Sequence, residues 1–350
     1  MKIAIYNTSI SGGGAERFTV LLSKGLADKG YEIHLLTGAR EKGEYQVADN
    51  VLRVILHTKK SFFSNSISLY HYLTNNKIDI CLAVGIYPNL VATLAKNFNL
   101  KTSIIISERN APKHDFLSWK SKLLRKLLYW RADAYVFQTP GAKACYSKSI
   151  QKRSVVIPNP LKENLPVRSN NPKKEIVAVG RLMPQKNYEL LLSAFSKLCR
   201  QDVDYTLHIY GQGIYESHLR NYAKRLEIDN KVFFEGFKDD VHSCIKDSDI
   251  YVLSSDFEGL PNALMEAMAM GFPVVSTDCP PGGPRMLIEH GVNGLLVPVG
   301  DVATLFNAML KLINNKELKD LMGKNATETL KKYYLNNIID LWEKFLSSKM

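Results

Sequence analysis

The 350-residue chain is predicted to be an α/β protein built from two Rossmann-like, doubly wound domains that face each other across a cleft. Three observations predict this fold. The length exceeds what one core usually needs, short apolar runs alternate with stretches of helical period, and the alternation restarts near residue 175. A composition of 45% hydrophobic and 23% charged residues excludes a disordered chain and a coiled-coil rod.

The first half contains apolar runs of strand length, separated by helical patterns. One such helix is predicted over Arg17–Lys29, where leucines recur on one face. Strands that alternate with helices form parallel sheets with crossover helices. The predicted strands are 2–7, 33–38, 52–57, 79–85, 102–107, 134–139 and 154–159.

The second half repeats the pattern after residues 160–174, which are rich in Pro, Asn and charge and are interpreted as a linker. The tail is predicted to be helical, and its last helix, Asn336–Ser348, has an apolar face that needs a partner on the first domain. We therefore expect domains at 1–160 and 161–335, with 336–350 returning to the first. The second set of predicted strands is 175–180, 205–211, 231–236, 249–255, 273–278 and 294–299.

The net charge of +12 is concentrated in the first half, where residues 1–160 hold 23 Lys and Arg against 10 Asp and Glu. Such a bias indicates an anionic partner, namely a phospholipid surface or a pyrophosphate-linked molecule. Nucleic acid is not expected, because no recognisable binding module is present. With no apolar run long enough to span a membrane, no signal peptide and five scattered cysteines, the chain is expected to stay in the cytoplasm.

A glycine-rich turn follows the first predicted strand, at residues 9–17, and opens a helix. Gly12, Gly13 and Gly14 allow a close approach of backbone to ligand, and the helix N-terminus favours anions. The turn is not a GxGxxG motif and no acidic residue follows the second strand in the ribose position. A dinucleotide-dependent oxidoreductase is therefore disfavoured.

The second domain carries the strongest signals beyond the C-terminal ends of its strands, where open α/β sheets bind ligands. Arg181 and Lys186 follow its first strand and are two cations suited to a diphosphate. Residues 254–271 place Glu258 in a loop, Pro261 at the expected start of a helix and Glu266 eight residues after Glu258. The backbone amides of 259–262 are expected to offer N–H groups beside Glu258.

Of two further segments, one is expected to line the candidate site and the other is not. Pro280–Pro284 is predicted to form a rigid loop beside the 258–266 segment. Asp247-Ser248-Asp249 has the DxD spacing of some metal sites, but it precedes a strand and is interpreted as a helix-end turn. No metal and no cofactor are expected.

In this order, the segments resemble the retaining glycosyltransferases of family 4, which have the GT-B fold. The E-x7-E motif from Glu258 to Glu266 carries the likeness, supported by GRLMPQKN and GVNGLLVPVGD. The SxxGGGAER start and the CPPGGPR loop look most like bacterial enzymes of exopolysaccharide, lipopolysaccharide or lipid-linked oligosaccharide synthesis. The resemblance implies a second domain that binds a nucleotide-sugar, with UDP expected, and a first domain that binds the acceptor.

The resemblance also implies roles for individual residues. Arg181 and Lys186 would neutralise the leaving diphosphate, Glu258 would bind sugar hydroxyls and Glu266 would hold the ribose. Many relatives have a histidine after the strand TSIIISE, and here either Arg109 or His114 takes that place. The remaining binding candidates are Gly13, Gly14, Phe237, Gly259, Leu260, Pro261 and Asn262.

Residues 118–132, SWKSKLLRKLLYWRA, are predicted to form a basic amphipathic helix with an aromatic residue at each end. Lys120, Lys122, Arg125 and Lys126 alternate with leucines, as in elements that lie on anionic membranes. A core-packing helix with a basic outer face is the alternative.

The predicted function is transfer of a hexose or N-acetylhexosamine to a lipid-linked or glycan acceptor at the inner membrane face. A nucleotide-sugar-binding protein without activity and an epimerase of the same fold are the alternatives.

Overall fold

The computed structural model describes residues 1–56, 61–96, 100–109 and 119–349, with no description of the side chains of residues 119–121. The described chain forms two compact units. One comprises 1–160 together with 335–350, and the other comprises 161–334. Each unit has its own parallel β-sheet.

The first unit contains, within its described residues, a seven-stranded parallel sheet in the order β3-β2-β1-β4-β5-β6-β7. Buried strands such as Ile80–Val84 are apolar without alternation because helices cover both faces of the sheet. The strands are β1 Lys2–Tyr6, β2 Glu32–Thr37, β3 Leu52–Ile55, β4 Ile80–Val84, β5 Ser103–Glu108, β6 Ala134–Phe137 and β7 Ser154–Val156.

Helices connect these strands and cover the sheet, as a parallel topology requires. They are α1 Gly14–Asp28, α2 Phe62–Asn75, α3 Ile86–Ala95, α4 Trp119–Leu128, α5 Pro140–Ala144 and α6 Lys148–Lys152. The predicted strands and the helix after the glycine turn are therefore confirmed, with ends that differ by a few residues.

The second unit contains, in its described residues, a six-stranded parallel sheet in the order β10-β9-β8-β11-β12-β13. Its strands are β8 Lys173–Val179, β9 Thr206–Tyr210, β10 Val232–Gly236, β11 Ser248–Leu253, β12 Val274–Thr277 and β13 Leu295–Val297. Its helices are α7 Tyr188–Cys199, α8 Glu216–Arg225, α9 Val241–Ile245, α10 Asn262–Ala269, α11 Gly283–Leu287, α12 Val302–Ile313 and α13 Lys316–Leu330.

The interpretation of 160–174 as a linker is wrong, because residues 161–174 belong to the second unit and several of them are bound within it. Arg168 is buried and its guanidinium Nη2 lies 2.6 Å from an Asp249 carboxylate oxygen. The Arg168 backbone N–H also donates to the Met270 carbonyl at 2.7 Å. The Asp249 carboxylate offsets the cost of burying the Arg168 guanidinium, and this pairing holds the segment against the sheet.

The last helix, α14 Leu335–Ser347, packs against α1 in the first unit. Trp342 is fully buried there, 5.8 Å from the ring of Phe18. A side chain on Gly25 would meet Ile339 at 2.4 Å, so the glycine allows the close approach of the two helices. The amphipathic pattern of the tail thus buries its apolar face on α1.

Replacing Trp342 by Ala should lower the free energy of unfolding of the first unit by about 3–5 kcal/mol, because the change leaves a large cavity between α14 and α1. Leu341, which is 45% exposed on the same helix, is the matched control. Its replacement by Ala should change stability by less than about 0.5 kcal/mol. Urea denaturation followed by circular dichroism measures both, and a Trp342→Ala loss below about 1 kcal/mol would show that α14 contributes little.

Candidate functional site

The candidate site lies where the strand order of the second sheet reverses. β8 and β11 are neighbours in the sheet, with β9 and β10 on one side and β12 and β13 on the other. Connections that leave neighbouring strands in opposite directions open a crevice at their carboxyl ends. The segment after β8 carries Arg181 and Lys186, and the segment after β11 carries Glu258.

An ion pair joins these two segments. The Lys186 Nζ atom lies 2.6 Å from Glu258 Oε1, and the Ser255 hydroxyl donates to the same oxygen at 2.7 Å. The side chains of Lys186 and Glu258 are 14% and 10% exposed. Both charges are thus largely removed from water, and each offsets the desolvation cost of the other.

Hydrogen bonds fix the backbone of both loops around the ion pair. Asn187 has φ 43°, caps α7 by accepting from the Leu190 N–H, and donates to the Asp256 carboxylate at 2.6 Å. Gln185 donates to the Phe257 carbonyl at 2.9 Å. Sequence reasoning missed these residues, although an Asn directly before a helix is a signal for an N-cap.

Arg181 follows the same strand but is exposed, and it makes no ion pair with any described residue. The backbone around it is closely packed, since a side chain on Gly211 would meet the Gly180 carbonyl oxygen at 2.0 Å. The exposed guanidinium of Arg181 is therefore carried by a closely packed loop at the carboxyl end of β8. A cation in this position can contact an anionic ligand in solvent.

Helix α10 begins one residue later than expected. Pro261 is the N-cap, and the first intrahelical bond runs from the Met265 N–H to the Pro261 carbonyl at 3.1 Å. The N–H groups at the positive helix end are consequently those of 262–264, because proline has none to offer. Glu266 is buried in the second turn, and its Oε2 lies 2.9 Å from Nε2 of His242.

The loop with consecutive prolines and glycines contacts the Glu258 segment. The Glu258 N–H donates to the Pro280 carbonyl at 2.9 Å, and a side chain on Gly283 would meet the Gly259 carbonyl at 1.8 Å. Burial raises the pKa of the nearby Cys279 thiol to about 12, which keeps this thiol protonated at neutral pH. The expectation that this loop lies beside the 258–266 segment is confirmed.

Other candidates lie in different surroundings. Phe237 follows β10 and is 64% exposed. Gly13 caps α1, where the Glu16 carboxylate lies so close that a side chain on Gly13 would meet it at 2.0 Å. An anionic ligand at Gly13 and Gly14 would therefore have to displace Glu16. The binding roles of these residues stay predictions.

Arg109 is buried in the first unit. Its guanidinium carbon lies 3.6 Å from the centroid of the Phe18 ring, and its Nη1 donates to Asn159 Oδ1 at 2.9 Å. Burial lowers the pKa of Arg109 to about 9. The guanidinium carbon also lies 5.8 Å from the centroid of the Trp342 ring in α14. Arg109 therefore contributes to the packing of α14 on the first unit. Its catalytic role stays a prediction, and His114 lies outside the described residues.

The interpretation of the DxD-like string as a helix-end turn holds only for Asp247, because Ser248 and Asp249 already belong to β11. Ser248 begins β11, and the carboxylate of Asp249 is paired with Arg168 and Lys319 and accepts from the Tyr205 hydroxyl at 2.6 Å. Among the described residues, no group of three or more His, Cys, Asp or Glu side chains is arranged to hold a metal ion. Asp249 therefore serves the packing of the second unit.

Comparison with known proteins identifies the family of the chain. Residues 12–164 match the description "Glycosyltransferase Family 4", and residues 162–329 match "Glycosyl transferases group 1". An uncharacterised glycosyltransferase of Haemophilus influenzae is 30% identical over 99% of both chains.

A second relative has a named reaction. It is the N-acetylgalactosamine-N,N'-diacetylbacillosaminyl-diphospho-undecaprenol 4-alpha-N-acetylgalactosaminyltransferase of Campylobacter jejuni, 28% identical over 95% of both chains. The crystal structure of Anabaena Alr3699/HepE in complex with UDP is similar in fold, with a TM-score of 0.84, 21% identity, and coverage of 99% of this chain and 100% of that one.

The two parallel-sheet units are those of the GT-B fold. The chain belongs to glycosyltransferase family 4.

Proposed function

We propose that the enzyme transfers a hexose or N-acetylhexosamine, with retention of anomeric configuration, from a nucleotide-diphosphate sugar to a lipid-linked or glycan acceptor. The ion pair of Lys186 with Glu258 is the observation that carries the proposal. It places an ammonium and a carboxylate together at the switch point of the second sheet, where a diphosphate and a sugar can be bound side by side.

The diphosphate is bound by the cations of this crevice. Lys186 has three N–H donors, of which one is used by Glu258, and Arg181 offers a planar fork of donors from the loop edge. The N-terminus of α10 adds a positive dipole end. As the sugar–phosphate bond breaks, negative charge grows on the leaving oxygen, and these groups stabilise it without a metal ion.

The sugar and the ribose are bound by the two carboxylates. Glu258 is fixed by Lys186 and Ser255 and accepts hydrogen bonds from sugar hydroxyls, beside the segment formed by Gly259, Leu260, Pro261 and Asn262. Glu266, one helical turn into α10, accepts from the ribose hydroxyls. An ionised carboxylate has acceptors and no donor, which suits it to ligands rich in hydroxyl groups.

In the proposed reaction, the anomeric carbon loses its bond to the diphosphate oxygen and gains one to the acceptor oxygen on the same face. The proton of the acceptor hydroxyl passes to an oxygen of the leaving diphosphate. No protein nucleophile is needed, since electrostatic stabilisation of the leaving group lowers the barrier.

Two relatives support the identity of the substrates. Alr3699/HepE, which shares the fold, was crystallised with UDP, so we propose a UDP-sugar as the donor. The name of the Campylobacter relative gives a diphospho-undecaprenol acceptor, which supports a lipid-linked acceptor for this enzyme.

Helix α4 supports docking of the enzyme on a membrane surface. Leu127 and Trp130 are 55% and 58% exposed, and Leu123 and Leu124 are also exposed. Beside them lie the exposed lysines Lys122 and Lys126. The alternative of a core-packing helix predicts buried leucines, and only Leu128 of this set is buried. Apolar and basic side chains that share an exposed helix surface suit an anionic lipid interface.

The docking is reversible and peripheral in this proposal. In the described residues, no helix has the length and apolarity needed to cross a bilayer. Each basic residue near an anionic surface contributes about 1 kcal/mol, which salt reduces. The acceptor in the lipid and the soluble donor would meet at an enzyme held in this way.

Replacing Arg181 or Lys186 by Ala should each lower kcat about 10²–10³-fold, because each removes charge stabilisation of the leaving diphosphate. Release of UDP from a panel of UDP-sugars, measured with a lipid-diphosphate sugar acceptor and a chelator, tests this. Lys173→Ala, with a side chain 69% exposed in the same unit, is the control and should leave kcat unchanged. Wild-type kcat in an enzyme with both Arg181→Ala and Lys186→Ala would contradict the metal-free mechanism, and no turnover of any UDP-sugar by the wild type would contradict the proposed function.

The membrane proposal predicts that the enzyme co-sediments with anionic vesicles and not with zwitterionic ones, and that salt weakens this binding. Replacing Leu127 and Trp130 by Ser should reduce it, as should replacing Lys120, Lys122, Arg125 and Lys126 by Ser. Leu321→Ser, an exposed leucine of the second unit, is the matched control. Equal binding to both vesicle types, or to neither, would contradict membrane docking.

A further inference from the structure

Two side chains, Lys162 and the buried His242, form a series of hydrogen bonds that ends at Glu266, and neither has a role in the function proposed so far. His242 Nε2 lies 2.9 Å from Glu266 Oε2, and His242 Nδ1 lies 3.2 Å from Lys162 Nζ. His242 and Glu266 are 5% and 7% exposed. Their contact is therefore shielded from competing water.

The contact with Lys162 determines which nitrogen of His242 carries the proton. A lysine ammonium has donors and no acceptor, so Nδ1 must accept from it. In the neutral imidazole the other nitrogen, Nε2, then carries the hydrogen and donates it to the Glu266 carboxylate. The hydrogen bonds are thus donated in one direction, from Lys162 to His242 and from His242 to Glu266.

The backbone around these side chains is fixed as well. His242 lies on the short helix α9, whose N-cap Asp240 accepts from the Ser243 N–H. The Asp240 carboxylate is 4.0 Å from His242 Nδ1, which is beyond hydrogen-bond distance. Lys162 follows Leu161, whose N–H donates to the Tyr333 carbonyl at 2.7 Å. Both Lys162 and His242 are therefore attached to ordered backbone.

We propose that His242 is a positioning residue that orients the carboxylate of Glu266 for the ribose of the nucleotide donor. The inference rests on the proposed function, in which Glu266 accepts from the ribose hydroxyls. A carboxylate can accept from two neighbouring hydroxyls only in a limited range of orientations. The N–H of His242 holds one carboxylate oxygen, so that the group is already aligned when the nucleotide arrives.

This arrangement makes His242 a determinant of sugar specificity in the nucleotide. A pre-aligned, largely buried carboxylate favours a ribonucleotide over its 2′-deoxy counterpart, because the deoxy sugar leaves an acceptor without its donor. Without the histidine, the carboxylate loses the hydrogen bond from Nε2, and the preference for ribose should decrease. Binding of the diphosphate should change little.

The test is calorimetric titration of UDP and 2′-deoxy-UDP into the full-length enzyme and its variants, with GDP and ADP and their deoxy forms as parallel probes. The wild type should bind the ribonucleotide about tenfold more tightly than the deoxynucleotide. His242→Ala should lower this ratio to near one, mainly by weakening the ribonucleotide. His242→Gln, whose amide can still donate, should restore most of the ratio, and Lys162→Met should lower it in part.

His208→Ala is the matched control, because His208 pairs with Glu235 at 2.8 Å in the same unit but does not contact Glu266. In His208→Ala the ratio of ribonucleotide affinity to deoxynucleotide affinity should equal that of the wild type. Thermal melts should show that all variants are folded. An unchanged ratio in folded His242→Ala and Lys162→Met would overturn the inference and leave the proposed function intact. Failure of the wild type to bind any of these nucleotides would overturn both.

Discussion

The ion pair between Lys186 and Glu258 is the interaction on which the site depends. A carboxylate and an ammonium that are both mostly buried are costly to remove from water, and each is tolerable only because the other lies 2.6 Å away. This requirement brings the segments after β8 and β11 together at the switch point of the sheet. Asn187 and Gln185 then fix the backbone of the two loops. The resulting crevice has one rigid carboxylate, one rigid ammonium and one exposed guanidinium.

The same principle organises the rest of the second unit. Asp249 lies inside β11 and is compensated by Arg168 from the segment before β8 and by Lys319 from α13, so that one buried carboxylate holds two distant parts of the chain. In the first unit the buried Arg109 is held differently, by the ring of Phe18 near Trp342 and by the side-chain oxygen of Asn159. A buried charged side chain thus joins distant parts of the chain in each unit.

Much of the fold could be predicted from the sequence, because strands covered on both faces are continuous apolar runs and the chain between them has helical period. The site residues of the E-x7-E segment and the cations after β8 could likewise be predicted, because they lie in sequence motifs. The pairing of His242 with Glu266, the burial of Arg109 and the attachment of Arg168 were not visible, because each depends on a side chain that meets a residue distant in sequence. The exposed leucines of α4 show the same limit, since periodicity identifies a helical face but not what covers it.

The anomeric configuration of the first product formed from a UDP-α-sugar tests the proposed reaction most sharply. It is followed by proton NMR of the anomeric signal during the first turnovers, in the presence of a chelator. We expect an α-linked product, because the acceptor attacks on the face from which the diphosphate departs. A β-linked product would contradict it, since inversion requires attack from the opposite face and a base that the pair of Lys186 and Glu258 does not provide.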